Sequence, residues 1–289
     1  MTQVAVIGGG PGGVSCAIWL KRLGLEPVLY ERGTIGGQLH DISLPIPDLP
    51  GQSLVDARKL IEYLKQHLHY WRIPVFEGQE AIQYRNGDLV FRGGLEARYS
   101  CIAYAPGLRT RKLDIPGHEW ITQYSTSEIL QMTSEDPVLV VGGGDRAFEA
   151  AIRLAKAKRH VVLIHRRDHF RSRPDFQSQV RHLGIPIYVN AQLKAIERTE
   201  QQLIAHIDRS GERMSLTVAL VMVRIGMEPD IQPGLCPNPQ SDVVPLWPHK
   251  QVRCLGDAIS PVPFRSIVSA YASGMMAAKE LVMNLRDYA

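Results

Sequence analysis

The sequence predicts an α/β fold of two three-layer domains with parallel sheets, the second inserted into the first. Three observations carry this. A strand, glycine turn and helix occur twice in order, as VAVIGGGPGGVSCA from Val4 and VLVVGGGDRAFEAA from Val138. Each copy returns to an apolar strand, Val28-Leu29-Tyr30-Glu31 and Val161-Val162-Leu163-Ile164-His165, and 23 residues separate Gly8 from Glu31 and Gly142 from His165. A final strand and helix, Arg253 to Leu285, follow the second copy. Alternating strands and helices bury a parallel sheet on both faces. Two Rossmann-like dinucleotide-binding units are expected, one over 1–114 and 248–289, the other over 115–247.

The elements follow in order. Thr2 to Ile7 reads as a strand, Gly12 to Leu23 as a helix ended by Gly24, and Pro27 to Glu31 as the second strand. Gly33 to Pro50 is rich in Gly and Pro and reads as irregular. Ser53 is expected to cap a helix with Leu54, Ala57, Leu60, Ile61, Leu64 and Leu68 on one face. From Ile73 to Ala105, Asn86-Gly87 and Gly93-Gly94 split short strands into a hairpin-like insert. The second unit runs through a helix over Asp145 to Lys158, strands over Val161 to His165 and Ile185 to Val189, and a meander over Gln202 to Val223 turning at Ser210-Gly211. Pro229 to Pro248 reads as linker. Arg253 to Asp257 is then a strand entering a glycine turn, and Ser266 to Leu285 a closing helix containing Ser273-Gly274.

With 289 residues the chain is long enough for two domains that each bury a core. Its 45% hydrophobic and 21% charged residues are those of a soluble globular protein rather than a disordered one. A net charge of +4 is too weak to argue for nucleic acid. A signal peptide is not expected from Met-Thr-Gln, and no apolar run approaches membrane-spanning length, so a cytoplasmic setting is the expectation. Cys16, Cys101, Cys236 and Cys254 form no C-x-x-C pair and no metal-ligand spacing.

Gly8, Gly10 and Gly13 fill G-x-G-x-x-G: a tight turn, a backbone that approaches a pyrophosphate, and close helix–strand packing. The helix N-terminus presents N–H groups and the positive end of a dipole to phosphate. Glu31, ending the next strand, can accept hydrogen bonds from a ribose diol and would repel a 2′-phosphate, so this site suits FAD or NAD rather than NADP. In the second copy Gly142, Gly144 and Ala147 take the same positions, followed by His165-Arg166-Arg167 and then Arg171. Guanidinium groups there can clasp a 2′-phosphate, which selects NADPH over NADH; a solvated basic turn is the bland alternative. Asp257, after Gly256 and ahead of Arg265 and a helix, can bind a ribityl hydroxyl or position a phosphate.

Together these motifs resemble the low-molecular-weight thioredoxin reductase family and its relatives. The resemblance rests on Gly8 to Gly13, Gly36-Gly37-Gln38-Leu39, Gly142 to Ala147, His165 to Arg171, Gly256-Asp257 and Arg265-Ser266-Ile267-Val268-Ser269-Ala270, and spans nearly the whole chain. It implies an FAD domain, an inserted NADPH domain that rotates during turnover, and a homodimer. It also implies FAD contacts from Gly36, Gly37, Gln38, Asp257 and Ser266. Neighbouring positions of the same motifs extend the candidate FAD contacts to Pro11, Gly12, Arg32 and Leu39, and to Ala105, Gly107, Gly256, Arg265 and Ile267. Asp145, Arg146 and His165 join Arg166, Arg167 and Arg171 as candidate NADPH contacts.

Three departures bear on function. Where thioredoxin reductases carry a redox C-x-x-C, this chain has Ser125-Thr126-Ser127-Glu128, which cannot cycle between dithiol and disulfide. Ferredoxin–NADP⁺ reductases of this type also lack the cysteines, have an acidic residue near Glu128, and share the Gly-Gly-Gly-Asp turn. Those enzymes extend past the last helix and place a tyrosine on the flavin, whereas this chain ends at Arg286-Asp287-Tyr288-Ala289 and has no tyrosine over 36–51. Ala105-Pro106-Gly107 also replaces the family's usual threonine. The expectation is an NADPH-dependent FAD oxidoreductase without a cysteine relay, with Glu128 as a proton donor near the flavin or a filler of the missing disulfide's space. The acceptor is open, a small acidic carrier such as ferredoxin or flavodoxin being one choice. A disulfide reductase using other cysteines and a non-catalytic flavin-binding sensor are the alternatives.

Overall fold

The computed structural model describes residues 3–42, 44–122, 126–132, 136–200, 202–236 and 252–286. The chain divides into one unit over Met1–Arg109 and Glu228–Ala289 and another over Thr110–Met227. These borders differ from the expected 114/115 and 247/248. On the return, the segment after Glu228 packs on the first unit: Gly234 O accepts the Tyr84 N–H at 2.9 Å, and Leu235 is buried with Phe91 and Tyr104.

In the first unit β1 (Gln3–Ile7) leads through a glycine turn into α1 (Pro11–Arg22), and β2 (Glu26–Glu31) returns parallel to β1 with Ile7 opposite Tyr30. α2 (Ala57–Tyr70) starts later than expected. Asp56, not Ser53, is its N-cap, the carboxylate accepting the Arg58 N–H at 2.7 Å, and Leu54 is left 61% exposed. Leu60, Ile61, Leu64 and Leu68 are buried, as their spacing requires. β3 (Val75–Glu77) joins the sheet beside β2, so the expected insert is shorter than its sequence span. It consists of the antiparallel strands β4 (Ala81–Arg85), β5 (Asp88–Phe91) and β6 (Glu96–Arg98). Asn86 and Gly87 turn the first hairpin with φ of 55° and 92°, the geometry that favours Asn-Gly. β7 (Cys101–Tyr104) then lies parallel to β1.

β8 (Leu108–Thr110) leads into the second unit, where α3 (Thr126–Ile129) is a single turn. β9 (Val138–Val141), α4 (Asp145–Lys156) and β10 (Val161–Ile164) repeat the motif. α5 (Pro174–His182), β11 (Ile187–Tyr188), and the antiparallel β12 (Ala191–Arg198), β13 (Leu203–Arg209) and β14 (Glu212–Val218) follow. β15 (Leu220–Val223) returns parallel to β9. Among the elements of eight residues or more, periodicity missed two. α5 buries only Phe176 and Val180, too few points to define a period, and the pairing of β12 shifts between Leu193 and Ala195, breaking its alternation. β16 (Met227–Pro229) begins the return to the first unit. Much of the expected linker, 237–248, lies outside the described residues. β17 (Val252–Cys254) then pairs with β7, and α6 (Ile267–Arg286) packs on α1. Gly274 marks the helix crossing: a Cβ there would stand 2.2 Å from Gly12 O.

Among the described residues the two parallel sheets run β17-β7-β1-β2-β3 and β11-β10-β9-β15. In each, the strand before the glycine turn lies between the next strand in sequence and a later one. The chain thus leaves β1 and β9 in one direction and returns on the other side. That is a topological switch point, where a crevice opens beyond the carboxyl ends of the strands.

Candidate functional site

In the first unit a cavity of about 480 Å³ opens at this switch point, a size typical of ligand sites. The three glycines at its mouth have different jobs. A Cβ on Gly8 (φ +106°) would stand 2.1 Å from Ala105 O, and one on Gly13 would stand 1.9 Å from Gly8 O. Only glycine lets these backbones meet. Gly10 is open, its nearest neighbour being Gly37 Cα at 4.0 Å from the Cβ position. It is also the N-cap of α1, with no side-chain cap and no acidic residue in the first turn, so the positive helix end faces the cavity uncompensated.

Glu31 is nearly buried on the cavity wall. Its Oε2 accepts the Gly9 N–H at 2.6 Å and its Oε1 the Gly33 N–H at 2.7 Å. A carboxylate has about four acceptor positions, so two remain for a diol. Asp257 lines the same cavity from the short 3₁₀ turn Gly256–Ala258. Its Oδ1 is buried with no hydrogen-bond partner. Burial pushes this carboxyl above its ordinary range, and the Arg265 guanidinium opposes the shift. An orphaned buried acceptor facing an open glycine turn fits a ligand that carries phosphates and donates hydroxyls.

Arg32 reaches Asp230, its Nη2 standing 2.6 Å from Oδ2. Gln232 donates its N–H to Tyr104 Oη at 2.9 Å, so the returning segment forms one wall of the cavity. Gln38 also lines it, donating Nε2–H to Leu108 O at 3.2 Å. So do Pro11, Gly12, Gly37, Ala105, Gly107 and Gly256. Gly36, Leu39, Arg265, Ser266 and Ile267 do not. Gly36 packs on Ile61, Leu39 is in the core, and Ile267 packs against that core. Arg265 donates Nε–H to Ser260 O at 3.0 Å, and Ser266 Oγ accepts the Ser269 N–H at 3.0 Å as the cap of α6. Asp230 and Gln232 were missed because they sit in the stretch read as linker, where no local pattern marks them.

The second unit repeats the turn. A Cβ on Gly142 would stand 2.2 Å from Arg224 O and 3.0 Å from Ala147 Cβ, while Gly144 has nothing within 4 Å. The basic loop folds back onto this turn: the N–H groups of Arg171 and Ser172 donate to Gly143 O at 2.9 and 3.2 Å. His165 packs against Gly143 and Phe170. Burial lowers its pKa, and Arg167 and Arg166 add to the shift, so it is neutral at neutral pH. Asp145 accepts the Arg173 N–H at 2.7 Å, a contact the sequence did not single out, and Arg146 Nη1 lies 3.3 Å from Met227 Sδ. The side chains of Arg166, Arg167 and Arg171 are exposed. Glu128 is exposed on α3, and Ser125 lies outside the described residues.

Two parallel-sheet units, each with a glycine turn at its switch point and opposite charge at the following strand end, define a dinucleotide-dependent oxidoreductase class. Residues 2–236 match the family described as Pyridine nucleotide-disulphide oxidoreductase, and the chain belongs to it. It is 28% identical over 237 residues to a thioredoxin reductase of Mycolicibacterium smegmatis, covering 78% of this chain and 76% of that one. It is 25% identical over 238 residues to a ferredoxin–NADP reductase of Ignicoccus hospitalis, covering 79% and 78%. The fold matches the crystal structure of Lactococcus lactis thioredoxin reductase with a TM-score of 0.87 and 22% identity, covering 99% and 100%. The family makes the chain a pyridine nucleotide-dependent oxidoreductase.

Proposed function

We propose that the chain takes electrons from NADPH at the second glycine turn and passes them through FAD in the first unit to a small acidic electron-carrier protein, ferredoxin or flavodoxin, without a cysteine relay. The observation that carries this is the segment 125–128, Ser-Thr-Ser-Glu, which holds no thiol where a dithiol relay belongs. Cys16 and Cys101 are poor substitutes: both are buried, and burial raises both thiols, Cys101 to about 12. A nucleophilic cysteine needs the opposite environment.

Bound flavin supplies acceptance of a hydride from nicotinamide and release of electrons singly or in pairs. The residues hold and select. Gly10 and the α1 N-terminus take the pyrophosphate, Glu31 the ribose diol, and Asp257 a ribityl hydroxyl. Gly142, Gly144 and Ala147 admit the second pyrophosphate, and Arg166, Arg167 and Arg171 receive the 2′-phosphate. No carboxylate among the described residues forms an ion pair with these three arginines, which leaves them available to an anion. Glu128 is the candidate proton donor, and Glu128→Gln with unchanged turnover would remove it from that role. The name of the Ignicoccus hospitalis relative and the net charge of +4 support an acidic carrier. A homodimer belongs to the same proposal and is tested by light-scattering mass. The decisive experiment is anaerobic NADPH titration read by flavin absorbance, followed by candidate carriers. Rapid bleaching and carrier reduction are expected; bleaching with no transfer to ferredoxin or flavodoxin would reject the acceptor.

A further inference from the structure

Cys254 ends β17 opposite Tyr104 of β7, and its Sγ lies 3.1 Å from the Sγ of Cys236. Thiols at this separation need only a small side-chain rotation to reach the ~2.05 Å bond of a disulfide. Cys236 is buried and Cys254 is partly exposed. Cys236 follows the cavity-lining residues Asp230 and Gln232, and Cys254 precedes the lining residues Leu255, Gly256 and Asp257. The Cys236 N–H donates to Gln232 O at 3.1 Å, and the same short segment carries Asp230, bound to Arg32, and Gln232, bound to Tyr104. On the other side, β17 runs on through Leu255 and Gly256 to Asp257.

We propose that Cys236 and Cys254 are an oxidisable dithiol site, which a low-molecular-weight disulfide converts to an intrachain disulfide pinning the 230–236 wall to β17. The more accessible Cys254, as thiolate, attacks one sulfur of the oxidant and releases one small thiol. The Cys236 sulfur then attacks Cys254 in the mixed disulfide and releases the second. Two electrons pass to the oxidant, and the two protein protons end on its two thiols. The S–H···S contact and burial raise the Cys254 thiol, so this exchange is slow rather than a turnover step. Closing the loop between positions 236 and 254 restricts the unfolded chain. Its effect on flavin retention, unlike the bond itself, rests on the cofactor assignment above.

The test uses the full chain with FAD bound, incubated with oxidised glutathione, alkylated, digested without reduction and mapped by mass. The expected result is one joined peptide pair, Cys236 with Cys254, lacking two hydrogens, while Cys16 and Cys101 alkylate only after unfolding. The thermal midpoint should rise on the order of 5–10 °C, revert with dithiothreitol, and stay unshifted in Cys254→Ser. Recovery of Cys236 and Cys254 as separate alkylated thiols or separate glutathione adducts would overturn the proposal. The wild-type map decides this even if Cys254→Ser fails to fold. A joined pair with unaltered FAD release would support the dithiol and count against the flavin assignment of the cavity.

Discussion

Asp257→Asn separates binding from folding because its two expected effects have opposite sign. Oδ1 is buried without a partner, and burial holds the carboxyl above its ordinary range. Without ligand, ionising this group is unfavourable, and an unsatisfied buried polar atom costs about 1–3 kcal/mol. The neutral amide should therefore stabilise FAD-free protein by about 1 kcal/mol at neutral pH. With FAD present, the carboxylate accepts a hydroxyl hydrogen bond worth about 1.5–3 kcal/mol, against about 0.5–1.5 for the amide oxygen. The difference, about 1–1.5 kcal/mol, is about a 5–13-fold rise in Kd for FAD. Asp257→Ala loses the whole contact and should weaken FAD about 10–150-fold. Kd is read by quenching of flavin fluorescence on titrating apoprotein, and stability by thermal unfolding of the same apoprotein. An unchanged Kd in both variants, or an Asn apoprotein less stable than wild type, would refute the reasoning.

The pH dependence has a defined sign. Because the folded-state pKa of Asp257 is raised, its contribution is present below the ordinary carboxylate value of about 3.9 and lost as pH rises through the raised value. The stability advantage of Asp257→Asn apoprotein should vanish in acid and reach its full size at neutral pH. Gly10→Ala and Gly13→Ala should part company: the first has room and an ordinary backbone, so apoprotein stability changes within about 0.5 kcal/mol while FAD binding falls. The second meets Gly8 O at 1.9 Å and should lose about 1–3 kcal/mol or more, measured by urea unfolding; equal stability of the two variants would contradict the close approach. Arg166→Ala should raise KM for NADPH about 10–150-fold and leave NADH within about twofold, and equal loss for both would remove the 2′-phosphate assignment.

Much of the fold was legible locally. The two glycine turns, their strands and α1, α2, α4 and α6 have strong periodicity or a fixed glycine signature. What local pattern mistook were boundaries and short elements. The cap of α2 moved from Ser53 to Asp56, whose carboxylate reaches the Arg58 N–H. α5 and β12 carry too little or too broken a pattern to read. In the candidate site, Glu31 and the glycines were readable because turn, helix and strand end lie within one short βαβ unit. Gly36, Leu39, Arg265, Ser266 and Ile267 belong to the same motifs, yet packing or capping takes them off the cavity wall.

The sequence by itself determined the two dinucleotide units and the charge that closes each, since the strand, glycine turn, helix and next strand that set the spacing from Gly8 to Glu31 and from Gly142 to His165 lie within one short βαβ unit. Only the tertiary structure decided which distant residues complete the walls. Gln232 meets Tyr104 across 128 positions, Cys236 meets Cys254 across 18, and Arg171 folds back on Gly143. Such contacts depend on sheet order and on where the returning chain packs. Neither leaves a period, a turn residue or a spacing in the sequence.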